Sequence, residues 1–228
     1  MTIFKFVLVR SLKNRIFLAV NAAYPVALVL TRGFWEDGAA TGFHLLAIAL
    51  IFSAFFFGRG ILNDKIDGTV TRILAAPVSS FSYFAQNLLA YMVPLSAQIA
   101  VVVAVGAILY GWGIAFALLL ALCYAVFAMS SVAFSFAWSC LFKSKESNSS
   151  SFGVVVMIVL LISGLTLPAQ MLPAPVRAVG MLFPAHWMAS GIGALLESDP
   201  APRYWLSLAA MSMFTVAYLL YGGKRRII

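Results

Sequence analysis

Charged residues are scarce in this sequence. Of 228 residues, 15 are Lys or Arg and 7 are Asp or Glu, so that charged residues make up 10% of the chain and hydrophobic residues 63%. A soluble domain of this size cannot cover its surface with so few charges. The composition therefore excludes a soluble globular protein and predicts an integral membrane protein that crosses the bilayer several times.

The residues and motifs of several other protein classes are also missing. The two cysteines, Cys123 and Cys140, lie in apolar sequence, which indicates packing residues and not a disulfide or a metal site. The two histidines, His44 and His186, are not spaced as metal ligands. No Gly-x-x-x-x-Gly-Lys-Ser/Thr loop occurs, so the chain cannot bind ATP in that way.

Uncharged runs divide the chain into predicted membrane spans. The hydrocarbon core of a bilayer takes about 20 apolar residues of helix. The uncharged run over 73–142 is too long for one helix and fits two, with a turn at Gly111 and Gly113. The run over 16–31 is short, but arginines at both of its ends can reach the membrane interface. We predict six spans, over 16–31, 38–58, 84–110, 113–142, 152–168 and 204–223, after an interfacial helix over 1–15.

The segment 169–196 is apolar but is interrupted by proline and glycine. We expect it not to cross the membrane and to form a re-entrant or outer-surface segment, since irregular backbone at membrane depth must be covered by protein or line a water-filled cavity. The residues that we predict for an outer gate are Pro168, Pro173, Pro184 and His186.

The distribution of basic residues predicts the topology. With six spans, all but three of the 15 Lys and Arg residues fall on one side of the membrane. The exceptions are Arg32, Arg177 and Arg203. Because cytoplasmic loops are enriched in Lys and Arg, both termini are predicted to be cytoplasmic.

The longest polar interruption, residues 59–80, contains a predicted amphipathic helix over 61–76. Its apolar face holds Leu62, Ile66, Val70, Ile73 and Leu74, and its polar face holds Asp64, Asp67, Thr71 and Arg72. Pro77 is expected to end the helix. Such a helix is either a connector on the membrane surface or a docking element for a cytoplasmic partner.

Three motifs in this sequence resemble those of one protein family. DKIDGTVTRILAAPVS over 64–79 is followed by SGLTLP over 163–168 with MLP over 171–173, and then by FPAHW over 183–187. Together they resemble, in order, the motifs of type-2 ATP-binding-cassette exporter permeases. One departure is that the family often has glutamates where this chain has Asp64 and the non-acidic Ile66.

The resemblance implies a permease subunit that is not itself an enzyme. ATP and Mg²⁺ would bind two copies of a separate ATP-binding subunit, and this chain would carry no cofactor and no metal. A second permease copy is expected, and the two copies would form a homodimer, although a heterodimer stays open. The dimer would lie in the inner (plasma) membrane in contact with lipids. No nucleic acid is expected as a partner. The residues that would couple the chain to the ATPase are Asp64, Asp67, Gly68, Thr69 and Arg72.

The cargo is expected to be a hydrophobic or amphiphilic small molecule, such as a drug, a peptide or a lipid-like compound, moved out of the cytoplasm. Lipid-linked polysaccharide is the alternative. The candidate pathway residues are Phe52, Phe55, Phe56, Gln98 and Thr166, because apolar rings suit an apolar cargo. Such residues are more often core packing or interhelical hydrogen bonds.

Three other functions are alternatives to an exporter. An ion-coupled secondary transporter usually has an ionisable residue inside the membrane, and no predicted span contains Asp, Glu, Lys or Arg. An intramembrane enzyme would need clustered acidic, histidine or serine chemistry in the bilayer. An assembly or sensor subunit that docks an ATPase without moving cargo stays open from the sequence.

Overall fold

The computed structural model describes residues 2–13, 15–31, 33, 35, 40–75, 79–167, 171–197 and 201–224. Within these ranges all regular secondary structure is helical, which confirms the predicted all-α fold class. The helices are α1 (Thr2–Lys13), α2 (Arg15–Leu30), α3 (Thr41–Ile66), α4 (Thr69–Leu74), α5 (Ser80–Tyr110), α6 (Ile114–Ser139), α7 (Lys145–Ser163), α8 (Ala174–Gly180), α9 (Pro184–Leu196) and α10 (Ala201–Lys224).

Five helices are long and apolar enough to cross a bilayer: α3, α5, α6, α7 and the part of α10 over Pro202–Gly223. Helices α8 and α9 form a pair bent by 102°, which raises the number to six if the pair counts as one broken span. Helix α2 has 16 residues, or about 24 Å, which is less than the ~30 Å of a hydrocarbon core. The crossing of α2 and the re-entrant path of α8 and α9 therefore stay predictions.

The helices extend beyond several predicted span boundaries. Helix α3 continues past 58 to Ile66, and α5 begins at Ser80 and not at 84. Helix α7 begins at Lys145, inside a polar stretch that precedes the predicted span, because the Ser144 hydroxyl accepts a hydrogen bond from the Ser147 amide at 3.2 Å and caps the first turn. The polar residues at the start of α7 thus belong to a helix.

A break at Gly68 corrects the prediction of one helix over 61–76. Residues up to Ile66 complete α3, and a separate short helix, α4, begins at Thr69. Gly68 has a φ of 67°, in the left-handed region that glycine adopts without a steric penalty. The Asp67 amide still donates to the Asn63 carbonyl and the Gly68 amide to the Lys65 carbonyl, so the chain turns as soon as α3 is capped.

Helix α6 is the central helix of the fold and packs against α3, α5, α9 and α10. Its large side chains Tyr124, Phe127 and Phe136 are fully buried. Helix α3 approaches it at Gly58, where an added Cβ would lie 2.5 Å from the Ser135 Cβ. Small residues at such crossings allow the helix backbones to pack closely, and α3 is thereby held against the core.

Candidate functional site

A polar cluster joins three helices at the C-terminal end of α3, which we call the Asp64 end. Asp64 is 6% exposed, and Arg10 of α1 donates to its carboxylate from Nη1 at 2.5 Å and from Nη2 at 3.4 Å. The hydroxyl of Tyr83 on α5 donates to Asp64 Oδ2 at 2.8 Å. Arg10 Nη2 also donates to the Tyr91 hydroxyl at 3.1 Å. These bonds hold α1, α3 and α5 together.

The cluster keeps its charges paired. Partial burial of Arg10 opposes its positive charge, but the hydrogen bonds and charges of Asp64 and Tyr91 outweigh that effect and raise the pKa of the guanidinium above its ordinary value. Arginine is then protonated at any physiological pH, so Arg10 brings a positive charge to the cluster throughout that range.

The burial of Asp64 corrects its predicted place on a free polar face. The carboxylate is oriented toward α1 and α5 and is occupied by Arg10 and Tyr83. Pairing with a charge on another protein would require these contacts to break. Asp64 is thus placed to support the segment that follows it and not to contact a partner directly.

The remaining predicted coupling residues lie around the break at Gly68. Asp67 and Arg72 are exposed, Gly68 and Thr69 are partly exposed, and Val70 is buried at 1% exposure. Helix α4 contacts α3, and its one charged residue, Arg72, is accessible. The side chains of Thr71 and Leu74, and residue Pro77, lie outside the described part. Asp67 and Arg72 are the charges that a partner protein could reach here.

A cavity of about 660 Å³ lies at the other end of α3, which we call the His44 end. Its walls come from the first turns of α3, the segment after α7, helix α9 and the start of α10. Its polar side chains are those of Thr41, His44, Ser163, Thr166, His186, Ser190, Glu197 and Arg203. Both histidines of the chain, which are distant in sequence, therefore line one cavity.

The polar groups of the cavity differ in whether they have hydrogen-bond partners. Arg203 Nη1 donates to Glu197 Oε1 at 2.6 Å, and Arg203 Nε donates to the Ser190 hydroxyl at 3.1 Å. Thr166 Oγ1 donates to the Leu160 carbonyl at 2.8 Å. The His44 Nε2 atom is buried and has no hydrogen-bond partner among the described residues. A buried polar atom left unpaired costs free energy.

The rest of the cavity lining is apolar and includes Leu45, Ile48, Leu165 and Leu167. A cavity of this volume with a few polar groups on apolar walls suits a small molecule with both characters. Among the described residues, no group of three His, Cys, Asp or Glu side chains could hold a metal ion.

The predicted pathway residues do not form one surface. Thr166 lines the cavity, but Phe55 is 4% exposed and stacks on Phe152 with ring centroids 3.7 Å apart, and Phe52 contacts the edge of the same ring. Phe56 is 52% exposed, and Gln98 is 8% exposed with no partner for its Oε1 among the described residues. Phe55 is thus a core residue, and the structure brings neither Phe56 nor Gln98 to the cavity.

The predicted gate residues are more closely grouped. His186 lines the cavity from α9, whose first residue is the buried Pro184. Pro173 precedes the first residue of α8. Pro168 lies outside the described residues. The proline positions therefore mark the starts of the two short helices beside the cavity, as expected for residues that fit the first turn of a helix.

Several residues of these sites could not be found by sequence patterns. Arg10 was placed in an interfacial helix, but its pairing with Asp64 depends on how α1 packs. Tyr83 and Tyr91 lie in an apolar run, where sequence patterns predict core residues. Glu197 caps the end of α9 and Arg203 lies in the first turn of α10, and their spacing alone carries no signal.

Comparison with known proteins agrees with this architecture. Residues 37–223 match the family described as ABC-2 family transporter protein. A search of curated proteins returned no significant match. The matched range covers α3 to α10, and so includes the break at Gly68 and the cavity at the His44 end. Membrane domains of this family carry no nucleotide-binding domain and no cofactor, and ATP binds a partner ATPase. The chain belongs to the ABC-2 family of transporter membrane domains and is a multi-pass membrane permease.

Proposed function

We propose that this permease exports a hydrophobic or amphiphilic small molecule from the cytoplasm, driven by ATP hydrolysis on a separate subunit. The observation that carries the proposal is the continuity of α3. This helix of 26 residues spans about 39 Å, from the cavity at the His44 end to the break before α4. A displacement of α4 would therefore reach the cavity through one rigid element.

Helix α4 and the adjoining Asp67 are the proposed docking segment for the ATPase. Asp67 and Arg72 are exposed charges that can pair with charges at the rim of a groove and fix orientation. Gly68 leaves open space where a Cβ would be, so a partner backbone can approach closely. The Arg10–Asp64–Tyr83 contacts support the segment from behind, because they hold the last turns of α3 against α1 and α5.

The proposed orientation has both termini and the Asp64 end in the cytoplasm, and the His44 end outside. It rests on the asymmetric distribution of Lys and Arg. In this arrangement two ATP-binding subunits serve two permease copies in the inner membrane. Membership of the ABC-2 family argues against an ion-coupled secondary transporter.

The cavity favours a small cargo over a polymer. Its volume of about 660 Å³ lies within the ~300–1,000 Å³ of sites that enclose drug-sized ligands. His44 and His186 can bond a polar group while Leu45 and Ile48 contact an apolar one. Lipid-linked polysaccharide is the second candidate, since only its lipid-proximal part would have to enter.

Reconstituted vesicles that contain the permease and its ATP-binding subunit test the proposal. Gly68→Trp should fill the space needed by the partner, and Arg72→Asp should reverse a docking charge. Both should abolish permease-dependent ATP hydrolysis and the uptake of a fluorescent amphiphile into inside-out vesicles. The matched control is Glu146→Lys, which reverses an exposed charge in the first turn of α7, on the same side of the membrane in our topology.

The thermal unfolding midpoint should be unchanged by Arg72→Asp, since no described contact depends on that side chain. If both docking variants hydrolyse ATP and transport the amphiphile at wild-type rates, α4 is a surface connector and the docking proposal fails. If the wild-type complex shows permease-dependent ATP hydrolysis but transports no amphiphile of any charge, the cargo assignment fails instead.

A further inference from the structure

A second cavity, of about 310 Å³, opens at the Asp64 end of α3, between that helix, α1 and α5. We call it the Arg59 groove. Its polar lining includes Arg10, Arg59 and Asn63, and its aromatic wall is formed by Phe56 and Phe57. Among the described residues, no acidic side chain lines it. The groove therefore combines a positively charged part with an apolar part.

The charge of the groove comes mainly from Arg59. Arg10 is neutralised by Asp64, although its guanidinium has five N–H donors and its contacts to Asp64 and Tyr91 leave some of them free. Arg59 is partly buried, and among the described residues no carboxylate lies within ion-pair distance of it. A guanidinium without a counter-ion beside a second one attracts an anion, and phosphate oxygens fit the planar donor geometry of arginine.

The position of the groove along α3 corresponds to a membrane interface. Arg59 is the first charged residue after the uncharged run that starts at 38. It lies 18 residues beyond Thr41, or about 27 Å along the helix, close to the ~30 Å thickness of a hydrocarbon core. The charged part of the groove is thus at the depth of lipid headgroups.

The apolar part of the groove continues toward the bilayer centre on the same helix face. Phe56, Arg59, Gly60 and Asn63 follow the i, i+3, i+4, i+7 spacing of one stripe. Phe56 is 52% exposed, one turn below Arg59. At Gly60 an added Cβ would lie 2.9 Å from Arg10 Nη2, so the missing side chain lets the guanidinium rest against the helix. This order of groups matches a lipid, with its headgroup above and its acyl chain below.

We propose that the Arg59 groove binds one anionic phospholipid, with its phosphate on Arg59 and its acyl chain along Phe56. In the topology proposed above, the lipid belongs to the cytoplasmic leaflet. Basic pockets between membrane helices on that side are suited to anionic headgroups. The lipid would cover the junction between α1 and α3 and so complete the support of the docking segment. The binding itself does not depend on the export proposal.

Native mass spectrometry of the full-length permease tests the proposal. The protein is equilibrated with equal amounts of phosphatidylglycerol and phosphatidylcholine, and the lipid retained on each chain is identified. The wild type should prefer phosphatidylglycerol, and Arg59→Gln should weaken that preference about fivefold, since one interfacial arginine contributes ~1 kcal/mol. Arg59→Lys, which keeps the charge, should retain most of the preference.

Arg72→Gln is the matched control, because it removes an exposed arginine on the same side of the membrane without touching the groove. It should leave the preference unchanged. Equal losses in Arg59→Gln and Arg72→Gln would show a general surface-charge effect and overturn the site. Displacement of the lipid by inorganic phosphate alone would assign the groove to free phosphate, and equal retention of both lipids would remove the requirement for an anion; either result overturns the proposal.

Discussion

Two arginine–carboxylate pairs of almost the same length lie at opposite ends of α3. Arg10 and Asp64 are 2.5 Å apart, with side-chain exposures of 35% and 8%, and Arg203 and Glu197 are 2.6 Å apart, with exposures of 52% and 54%. Exposed pairs are weakened by water and salt, whereas breaking a buried pair leaves a charge without a partner. The two pairs therefore have similar N···O distances but contribute differently to stability.

The Asp64 end is held together by polar contacts between helices. Its carboxylate is bonded by Arg10 and Tyr83, and Lys65 Nζ donates to the carbonyls of Cys140 and Phe142 after α6. The His44 end has a large cavity, an exposed ion pair and a buried His44 Nε2 atom with no partner in the part of the chain that the structure describes. We infer that the first end transmits force and that the second end changes shape around a ligand.

The largest effect is expected from Asp64→Ala. It leaves the partly buried Arg10 without a counter-ion and Tyr83 without its acceptor. The free energy of unfolding should fall by about 3 kcal/mol, the low end for a broken buried pair because Arg10 is one-third exposed. The midpoint of thermal unfolding of the purified permease in detergent measures it. A midpoint equal to that of Glu197→Ala would erase the contrast between the two ends.

A smaller effect of opposite sign is expected from His44→Leu. The variant removes a buried nitrogen that has no partner among the described residues and replaces it with a side chain of similar size. Stability should stay equal or rise by up to about 1 kcal/mol. Stimulation of ATP hydrolysis by amphiphiles should fall in reconstituted vesicles, because the ligand loses a bonding partner. A marked loss of stability would show that His44 is a structural residue.

Sequence patterns predicted the elements of this fold better than its contacts. The uncharged runs located α3, α5, α6 and α10, since a bilayer requires apolar helices of a certain length. The break at Gly68 was missed because an amphipathic pattern continues across it, although a glycine at a helix end is a known stop signal. The family motif indicated the segment that we propose for docking, but it did not show that Asp64 is buried.

The cavity was predicted only in part. Thr166 and His186 were named for different roles, and the structure places both on its lining. The place of the cavity between α3, α7, α9 and α10 depends on helix packing, which no local pattern encodes. For the same reason Phe55 was assigned to a pathway, whereas its stacking on Phe152 places it in the core.

The smallest effect is expected from Glu197→Gln. The exposed pair with Arg203 should contribute no more than about 0.5 kcal/mol to stability at moderate salt. The thermal midpoint should therefore change little, and its small difference from the wild type should shrink further as salt is added. A shift as large as that of Asp64→Ala would mean that the His44 end is held as firmly as the Asp64 end.

The most direct measurement is the labelling of single cysteines placed at the two ends. Cys123 and Cys140, which are buried, are first replaced by alanine. Exposed Ala75, directly after α4, and exposed Arg177 are then changed singly to cysteine and labelled with a membrane-impermeant maleimide. We predict that Ala75→Cys, which keeps every proposed docking residue, reacts only in inside-out vesicles and is protected by the ATP-binding subunit, while Arg177→Cys reacts only from outside and is not protected. Labelling of both from the same side, or no protection of Ala75→Cys, would contradict the account.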